Sequence, residues 1–169
     1  TDFVPLVRRI VDRFRSQADL NQVELQVIDV GHGDLLIPLD AMRFEQIVSN
    51  LLSNALRHTP PGGKIQVSVQ QLPQQLQLAV QDSGPGIPEE SLPHIFECFY
   101  RADRSRSRAE GGTGLGLAIA LNLAQLHGWE LSAGNSPEGG ARFILSIPAQ
   151  SGNRKNNPNM LEDGYVKSQ

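Results

Sequence analysis

Two asparagines and an arginine recur one helical turn apart in the segment FEQIVSNLLSNALRH, residues 44–58. At about 100° per residue, Asn50, Asn54 and Arg57 lie at one edge of an apolar stripe and form a polar row. Asparagine is a mediocre helix former, so two of them beside a buried stripe indicate a function. Amide oxygens suit a hard cation such as Mg²⁺, whose other ligands come from water and nucleotide phosphates. The alternative is a pair of solvated side chains on a helix flank.

A second candidate is QDSGPGIP, residues 81–88, which follows an alternating apolar stretch typical of a strand. Asp82 at the strand end can accept a hydrogen bond from an exocyclic amino group. Gly84 and Gly86 allow the backbone to pass close to a flat ring. The alternative is an ordinary acidic turn.

The third candidate is GGTGLGLAIALNLAQLHG, residues 111–128, with four glycines in its first six positions followed by a helical pattern. A glycine-rich start leaves backbone N–H groups uncovered at a helix N-terminus, where the helix dipole favours negative charge. This arrangement is suited to binding a phosphate. The alternative is a loop that needs its glycines only to turn.

Between these motifs lies IFECFYRADRSRSRAE, residues 95–110, which combines aromatic side chains with four arginines. Phe96 and Phe99 are one turn apart, and we expect them to anchor the base of a mobile loop in the core. Arg101 follows this anchor directly, so its planar, permanently charged guanidinium is well placed for a polyphosphate. The remaining arginines are interpreted as a run of solvated surface charges.

The composition is that of a globular domain and gives no reason to expect binding to nucleic acid or to acidic membrane surfaces. The 169 residues suggest one globular domain, and the net charge of −3 with pI ≈ 5.8 favours neither nucleic acid nor an acidic membrane surface. A single cysteine, Cys98, cannot form an internal disulfide, suits a reducing compartment and is expected to serve as a small hydrophobe. No apolar run approaches the roughly 20 residues of a membrane span, and the N-terminus has no signal-peptide pattern, so the chain as given is expected to be soluble.

The hydrophobic periodicity predicts helices interspersed with hairpin-type strands. This order predicts an α+β fold, a two-layer sandwich with a largely antiparallel sheet. Helices are predicted over 3–18, from an Asp40 cap to about Leu56, over a short piece near 89–97, and from the glycine-rich start of segment 111–128 to about His127. Strands are predicted over 23–27, 65–69, 76–80, 129–133 and 141–148.

Taken in order, NLLSNA, DSGPGIP, IFECFYR and GGTGLGLAIA resemble the N box, first glycine box, F box and second glycine box of sensor histidine kinases. The resemblance covers about residues 40–148. It implies the Bergerat ATP-binding fold of the superfamily shared with DNA gyrase and heat-shock chaperones, a mixed, mostly antiparallel sheet backed by helices. In that family ATP lies under a flexible lid. Residues 97–116 contain four glycines and several arginines but few apolar side chains, so we expect this segment to be mobile without nucleotide and to become ordered with ATP and Mg²⁺.

The resemblance also implies a role for individual residues. Asn54 and Asn50 would hold Mg²⁺, Asp82 would bind the adenine amino group, and Arg57 and His58 would lie near the phosphates. The implied catalytic set is Asn50, Asn54, Arg57 and Arg101. The implied ATP-binding set is Asn50, Asn54, Arg57, His58, Asp82, Gly84, Gly86, Ile87, Tyr100, Arg101, Gly112, Thr113, Gly114, Leu115, Gly116 and Leu117. Gly140 and Phe143 resemble a last, weaker box. The family commonly has lysine at position 57 and tyrosine at position 58, which this sequence replaces with arginine and histidine.

Kinases of this family carry the phosphoacceptor histidine in an H box, and nothing resembling it occurs in this sequence. The resemblance therefore implies a catalytic half, with a helical linker at 1–20 that follows a dimerisation domain and an ATP-binding domain at 21–148. The tail at 149–169 is rich in asparagine, serine and lysine and has little to bury, so it is predicted to be disordered. The catalytic half would transfer the γ-phosphoryl group of ATP to a histidine on the dimerisation domain, for relay to an aspartate of a response regulator. The parent protein would be a cytoplasmic or membrane-anchored homodimer whose catalytic domain makes no membrane contact.

Two other functions remain open from the sequence. One is a serine/threonine protein kinase of the anti-sigma-factor type on the same fold. The other is a regulatory module that senses ATP or ADP without transferring phosphate. Gyrase-type relatives carry glutamate where Asn50 stands, and an amide in its place removes the base that activates water, which favours transfer over hydrolysis.

Overall fold

The computed structural model describes residues 2–30, 37–101 and 112–149. Residues 102–111 of the predicted lid and residues 150–169 of the predicted tail lie outside these residues. Helices and strands follow the predicted order. Their bounds are α1 Phe3–Leu20, β1 Glu24–Val30, α2 Ala41–His58, β2 Lys64–Gln71, β3 Gln75–Asp82, a 3₁₀ turn Leu92–His94, α3 Gly116–Leu126, β4 Glu130–Asn135 and β5 Ala141–Pro148.

The strands form one five-stranded sheet in the order β1-β2-β3-β5-β4. β1 runs parallel to β2, and every other neighbouring pair is antiparallel. A parallel pair needs a crossover connection, and α2 supplies it between β1 and β2. The predicted mixed, mostly antiparallel sheet is confirmed.

The helices cover one face of the sheet and enclose the core. Along β2 the side chains of Ile65, Val67 and Val69 are buried toward the helices, while alternate residues such as Gln66 face outward. α2 packs between α1 and α3. The ring of Phe3 on α1 lies 4.9 Å from that of Phe44 on α2, and both side chains are fully buried. The predicted two-layer α+β architecture is confirmed.

α2 presents one apolar and one polar edge because of its sequence period. The Asp40 carboxylate accepts a hydrogen bond from the Arg43 N–H at 3.1 Å, as the predicted N-cap requires. The apolar stripe is fully buried and consists of Phe44, Ile47, Val48, Leu51 and Leu52. The helix ends two residues later than predicted, with Arg57 and His58 in its last turn, where cations suit the helix dipole. The polar row is thus held at a fixed edge of the core.

Two expectations about the F-box segment are wrong. Phe96 packs its ring against Phe143, with centroids 6.3 Å apart, but Phe99 is 71% exposed. Phe99 adopts a left-handed backbone conformation with φ 61° and donates its N–H to the Gly114 carbonyl at 3.0 Å, which turns its side chain away from the core. Cys98, expected to serve as a small hydrophobe, is exposed and so does not contribute to the core.

Within residues 2–30, 37–101 and 112–149, no helix is long and apolar enough to cross a membrane.

Candidate nucleotide-binding site

The polar row of α2 is open to ligands. Asn50 and Asn54 are half-buried, and within the described part of the chain neither side-chain amide is hydrogen-bonded to another protein group. Arg57 is exposed at the end of the row. From Asn50 to Arg57 the row extends over about 10 Å of helix. The amide oxygens of this row can therefore bind a cation, and its guanidinium can bind an anion.

The glycine segment 112–116 runs along this row in the opposite direction. A Cβ built on Gly112 would lie 2.6 Å from both Cζ and Nη1 of Arg57, so the backbone approaches the guanidinium more closely than any side chain would allow. A Cβ on Gly116 would lie 3.6 Å from Oδ1 of Asn50, an ordinary contact. The structure therefore brings the second glycine box onto both ends of the polar row.

The N-terminus of α3 lies beside Asn50 without a protein cap. Leu115 occupies the N-cap position, and no side chain of the described residues caps the helix. The Leu115 N–H donates to Thr113 Oγ1 at 3.4 Å, and the first backbone bond of the helix joins the Ile119 N–H to the Leu115 carbonyl. The N–H groups of residues 116–118 have no acceptor within the described residues, and the first turn has no acidic side chain. Such a helix end attracts an anion.

Asp82 lies at the end of β3 and is 4% exposed. Its Oδ1 accepts hydrogen bonds from the N–H of Gly84 at 2.9 Å and of Ala141 at 3.1 Å. Its Oδ2 has no donor within the described residues. Because both backbone bonds use the same oxygen, the other oxygen remains free to accept a hydrogen bond from a ligand.

The loop that follows Asp82 crosses the end of α2. A Cβ on Gly84 would lie 2.5 Å from the His58 carbonyl oxygen, so only glycine permits this crossing. The His58 side chain is exposed, and the contact with the loop is made by its backbone. Further along, Gly86 has φ 80°, and Ile87 is hydrogen-bonded to Asn135 on β4.

At the base of the predicted lid, Tyr100 donates its hydroxyl hydrogen to Ser91 Oγ at 2.9 Å, and Ser91 is 3% exposed. The ring of His94 lies 5.5 Å from the Tyr100 ring. Arg101 is half-buried at the last described position before residue 112. Gly114, with φ 70°, approaches the Phe99 backbone, so the two sides of the lid base meet there.

Both glycine boxes therefore contact α2, which carries the N box. The second box does so through Gly116 at Asn50 and Gly112 at Arg57, and the first box through Gly84 at His58. Sequence reasoning missed Asn135 and Ser91, and neither stands in a motif that would have revealed it. No cluster of histidine, cysteine, aspartate or glutamate that could hold a metal occurs in ranges 2–30, 37–101 and 112–149. The unbonded amides of Asn50 and Asn54 nevertheless fit the oxygen ligands that Mg²⁺ accepts.

This fold and site define an ATP-binding domain in which two glycine-rich segments contact one helix, α2. The chain belongs to the family of histidine kinase-, DNA gyrase B-, and HSP90-like ATPases, whose model matches residues 39–151.

The relatives of this chain within that family are sensor histidine kinases. It is 50% identical to the signal transduction histidine-protein kinase AfsQ2 of Streptomyces coelicolor over 110 residues, which are 65% of this chain and 20% of AfsQ2. It is 42% identical to BaeS of Escherichia coli over 111 residues, which are 66% of this chain and 24% of BaeS. The chain thus spans a fifth to a quarter of these relatives.

Solved structures of histidine kinases are also similar to this chain. The nucleotide-free catalytic domain of histidine kinase ThkA has a TM-score of 0.76 and 28% identity, with 88% of this chain and 93% of ThkA's chain covered. Full-length ShkA in complex with AMPPNP has a TM-score of 0.73 and 26% identity, covering 88% of this chain and 30% of ShkA. ThkA in complex with the response regulator TrrA has a TM-score of 0.73 and 27% identity, and the match covers 88% of this chain and 40% of ThkA's chain. The resemblance to the catalytic domain of sensor histidine kinases is confirmed.

Proposed function

We propose that this chain is the catalytic domain of a protein-histidine kinase that binds Mg²⁺-ATP and transfers the γ-phosphoryl group to a histidine on a separate dimerisation domain. The observation that carries the proposal is the contact of the glycine segment with both ends of the polar row, at Gly112 with Arg57 and at Gly116 with Asn50. These contacts bring candidate cation ligands, a guanidinium and an uncapped helix N-terminus to the same edge of α2.

The triphosphate would lie between α2 and the N-terminus of α3. Asn54 and Asn50 would hold Mg²⁺ through their amide oxygens, and the cation would neutralise phosphate charge. Arg57 and Arg101 would offer guanidinium groups to the phosphates, and the exposed His58 side chain would lie near them. The backbone from Gly112 through Thr113, Gly114, Leu115, Gly116 and Leu117 would donate N–H groups.

The adenine would lie at the end of β3. Asp82 would accept a hydrogen bond from its amino group through the free Oδ2, while Gly84, Gly86 and Ile87 would pass along the ring. Tyr100 would hold the base of the lid through Ser91. Full-length ShkA, part of which has this fold, forms a complex with AMPPNP, and this supports the proposal that the chain binds a nucleotide.

Phosphoryl transfer requires positioning and charge neutralisation more than covalent chemistry by the protein. The side chains of the polar row are two amides and a guanidinium, and none of these is a carboxylate base that could activate water. This composition supports transfer of the phosphoryl group to an added nucleophile in preference to hydrolysis.

The partners of the domain follow from the same proposal. The acceptor histidine would come from a dimerisation domain joined through residues 1–20 to the ATP-binding domain at 21–148, in a homodimeric parent. The phosphoryl group would then pass to a response regulator, which the complex of the related kinase ThkA with TrrA supports. We place the domain in the cytoplasm, where ATP and response regulators are available.

The proposal is tested with γ-labelled ATP and the purified dimerisation domain of a related sensor histidine kinase. We expect Mg²⁺-dependent, acid-labile labelling of the added domain, since phosphohistidine is acid-labile, and no labelling with the Asn54→Ala variant. An acid-stable label would instead indicate a serine/threonine kinase. ATP binding by calorimetry without any labelling would indicate a nucleotide-sensing module.

A further inference from the structure

The loop after Asp82 is held at both ends by one cross-strand pair of the β4–β5 hairpin. Asn135 and Ala141 stand opposite each other in that hairpin. The Ala141 N–H donates to Asp82 Oδ1 at 3.1 Å. Asn135 accepts the Ile87 N–H through Oδ1 at 2.7 Å and donates to the Ile87 carbonyl through Nδ2 at 2.7 Å. A single amide thus satisfies both backbone groups of Ile87, as a neighbouring strand would.

The hairpin and the loop also touch where no side chain would fit. Gly86 has φ 80°, and a Cβ there would lie 2.8 Å from Asn135 Oδ1. Gly140 has φ 83°, and a Cβ there would lie 1.8 Å from the Asp82 carbonyl oxygen. The two glycines therefore allow the hairpin to lie in direct contact with the loop.

The hairpin is a firm support because its own turn is hydrogen-bonded. The Ser136 N–H donates to the Gly140 carbonyl at 2.9 Å, and the Gly139 N–H donates to the Ser136 carbonyl at 2.9 Å. β5 is paired in turn with β3, the strand that carries Asp82. Asn135 consequently fixes Ile87 relative to Asp82 through the sheet.

The loop needs such support because its own sequence favours many conformations. Two of its residues, Gly84 and Gly86, have the widest backbone freedom of any residue type, and ordering them costs conformational entropy. Apart from the Asn135 bonds, the described hydrogen bonds of residues 83–87 all lie at the start of the loop: Gly84 N–H to Asp82, Ser83 N–H to the Lys64 carbonyl, and Lys64 N–H to Ser83 Oγ. Without Asn135, no described hydrogen bond holds the end of the loop at Ile87.

We propose that Asn135 is a positioning residue of the adenine subsite. By fixing the Ile87 peptide it holds the backbone from Gly84 to Ile87 where the edge of the base would lie, without itself contacting nucleotide. It thereby sets the affinity for ATP and the preference for adenine over guanine. This inference rests on the proposed function, in which the base of ATP lies against Asp82 and this loop.

The test compares Asn135→Ala and Asn135→Asp with Ser132→Ala, a control at an exposed position of the same strand. Hydrogen exchange of the Ile87 amide without nucleotide reports the bond to Asn135, and calorimetry reports the affinities for ATP and GTP. We expect Asn135→Ala to accelerate exchange of the Ile87 amide and to weaken ATP binding about fivefold to tenfold. It should also lower the ratio of the affinity for ATP to the affinity for GTP. Asn135→Asp keeps the acceptor for the Ile87 N–H and should give intermediate values. Ser132→Ala should match the wild type.

A second readout separates positioning from general destabilisation. With an added phosphoacceptor domain, Asn135→Ala should raise KM for ATP and leave kcat unchanged. Because the Asn135 side chain is exposed, the Tm of the variant should stay near that of the wild type. Faster Ile87 exchange with unchanged ATP affinity and selectivity would overturn the role of Asn135 alone. A wild-type chain that binds no adenine nucleotide would overturn the proposed function, and this role with it.

Discussion

The guanidinium of Arg57 lies directly against the backbone of Gly112, so closely that a Cβ on the glycine would stand 2.6 Å from Cζ. The obstructing atoms belong to the far end of a flexible side chain. An added methyl group would therefore push the guanidinium aside and leave the fold intact.

For Gly112→Ala we accordingly expect an unchanged Tm and an ATP affinity lowered about threefold to tenfold, because the displaced Arg57 would lose its approach to the phosphates. Calorimetry and thermal unfolding measure the two quantities. Gly134→Ala is the matched control, since a Cβ at Gly134 meets nothing within 4 Å. Equal ATP affinity in both variants would show that Arg57 does not bind phosphate from this position.

The Asn54 amide has no protein partner within the described residues, so its removal should cost little stability. We expect Asn54→Ala to weaken ATP binding about tenfold or more when Mg²⁺ is present and to have little effect when Mg²⁺ is chelated. Ser53→Ala changes the neighbouring half-buried position and leaves the amide row untouched. If the two variants bind Mg²⁺-ATP equally well, Asn54 is not a cation ligand.

Asp82→Asn should alter base recognition without unfolding the loop. The N–H groups of Gly84 and Ala141 require an acceptor at the Oδ1 position, so the new amide would turn its oxygen toward them and its NH₂ group toward the base. A donor facing the adenine amino group should cost roughly 1.5 to 3 kcal/mol of ATP binding and relax the preference for ATP over GTP. Calorimetry with both nucleotides tests this, and unchanged selectivity would contradict base recognition by Asp82.

Gly140→Ala should destabilise the domain itself. The new Cβ would lie 1.8 Å from the Asp82 carbonyl oxygen, and a backbone clash cannot be relieved by a rotamer change. We expect a loss of about 3 kcal/mol or more in the free energy of unfolding, measured by urea denaturation. Gly139→Ala also introduces a side chain at positive φ, but into open space, so it should lose only about 1 to 2 kcal/mol. Comparable losses would mean that the clash at Gly140 is relieved by a backbone shift.

The sequence predicted those parts of the site that depend on local periodicity. The helical spacing of Asn50, Asn54 and Arg57 places them on one edge of α2, and this requires no knowledge of the tertiary fold. The bond between Asn135 and Ile87 joins residues 48 positions apart, and no local pattern reports it. The exposure of Phe99 depends on a positive φ that a bulky residue rarely adopts, so spacing alone predicted the wrong orientation.

The strand order has a consequence for how the protein is made. β5 comes last among the described strands, yet it lies inside the sheet between β3 and β4. The Ala141 N–H that holds Asp82 belongs to this strand, so a nascent chain emerging from the ribosome cannot complete the end of β3, where we propose that adenine binds, until β5 has been translated. Pairing β3 with a strand about 65 residues further along also gives the sheet a high contact order, which slows folding. In the proposed site, nucleotide would therefore not assist the early stages of folding, because that site is complete only when the last described strand enters the sheet.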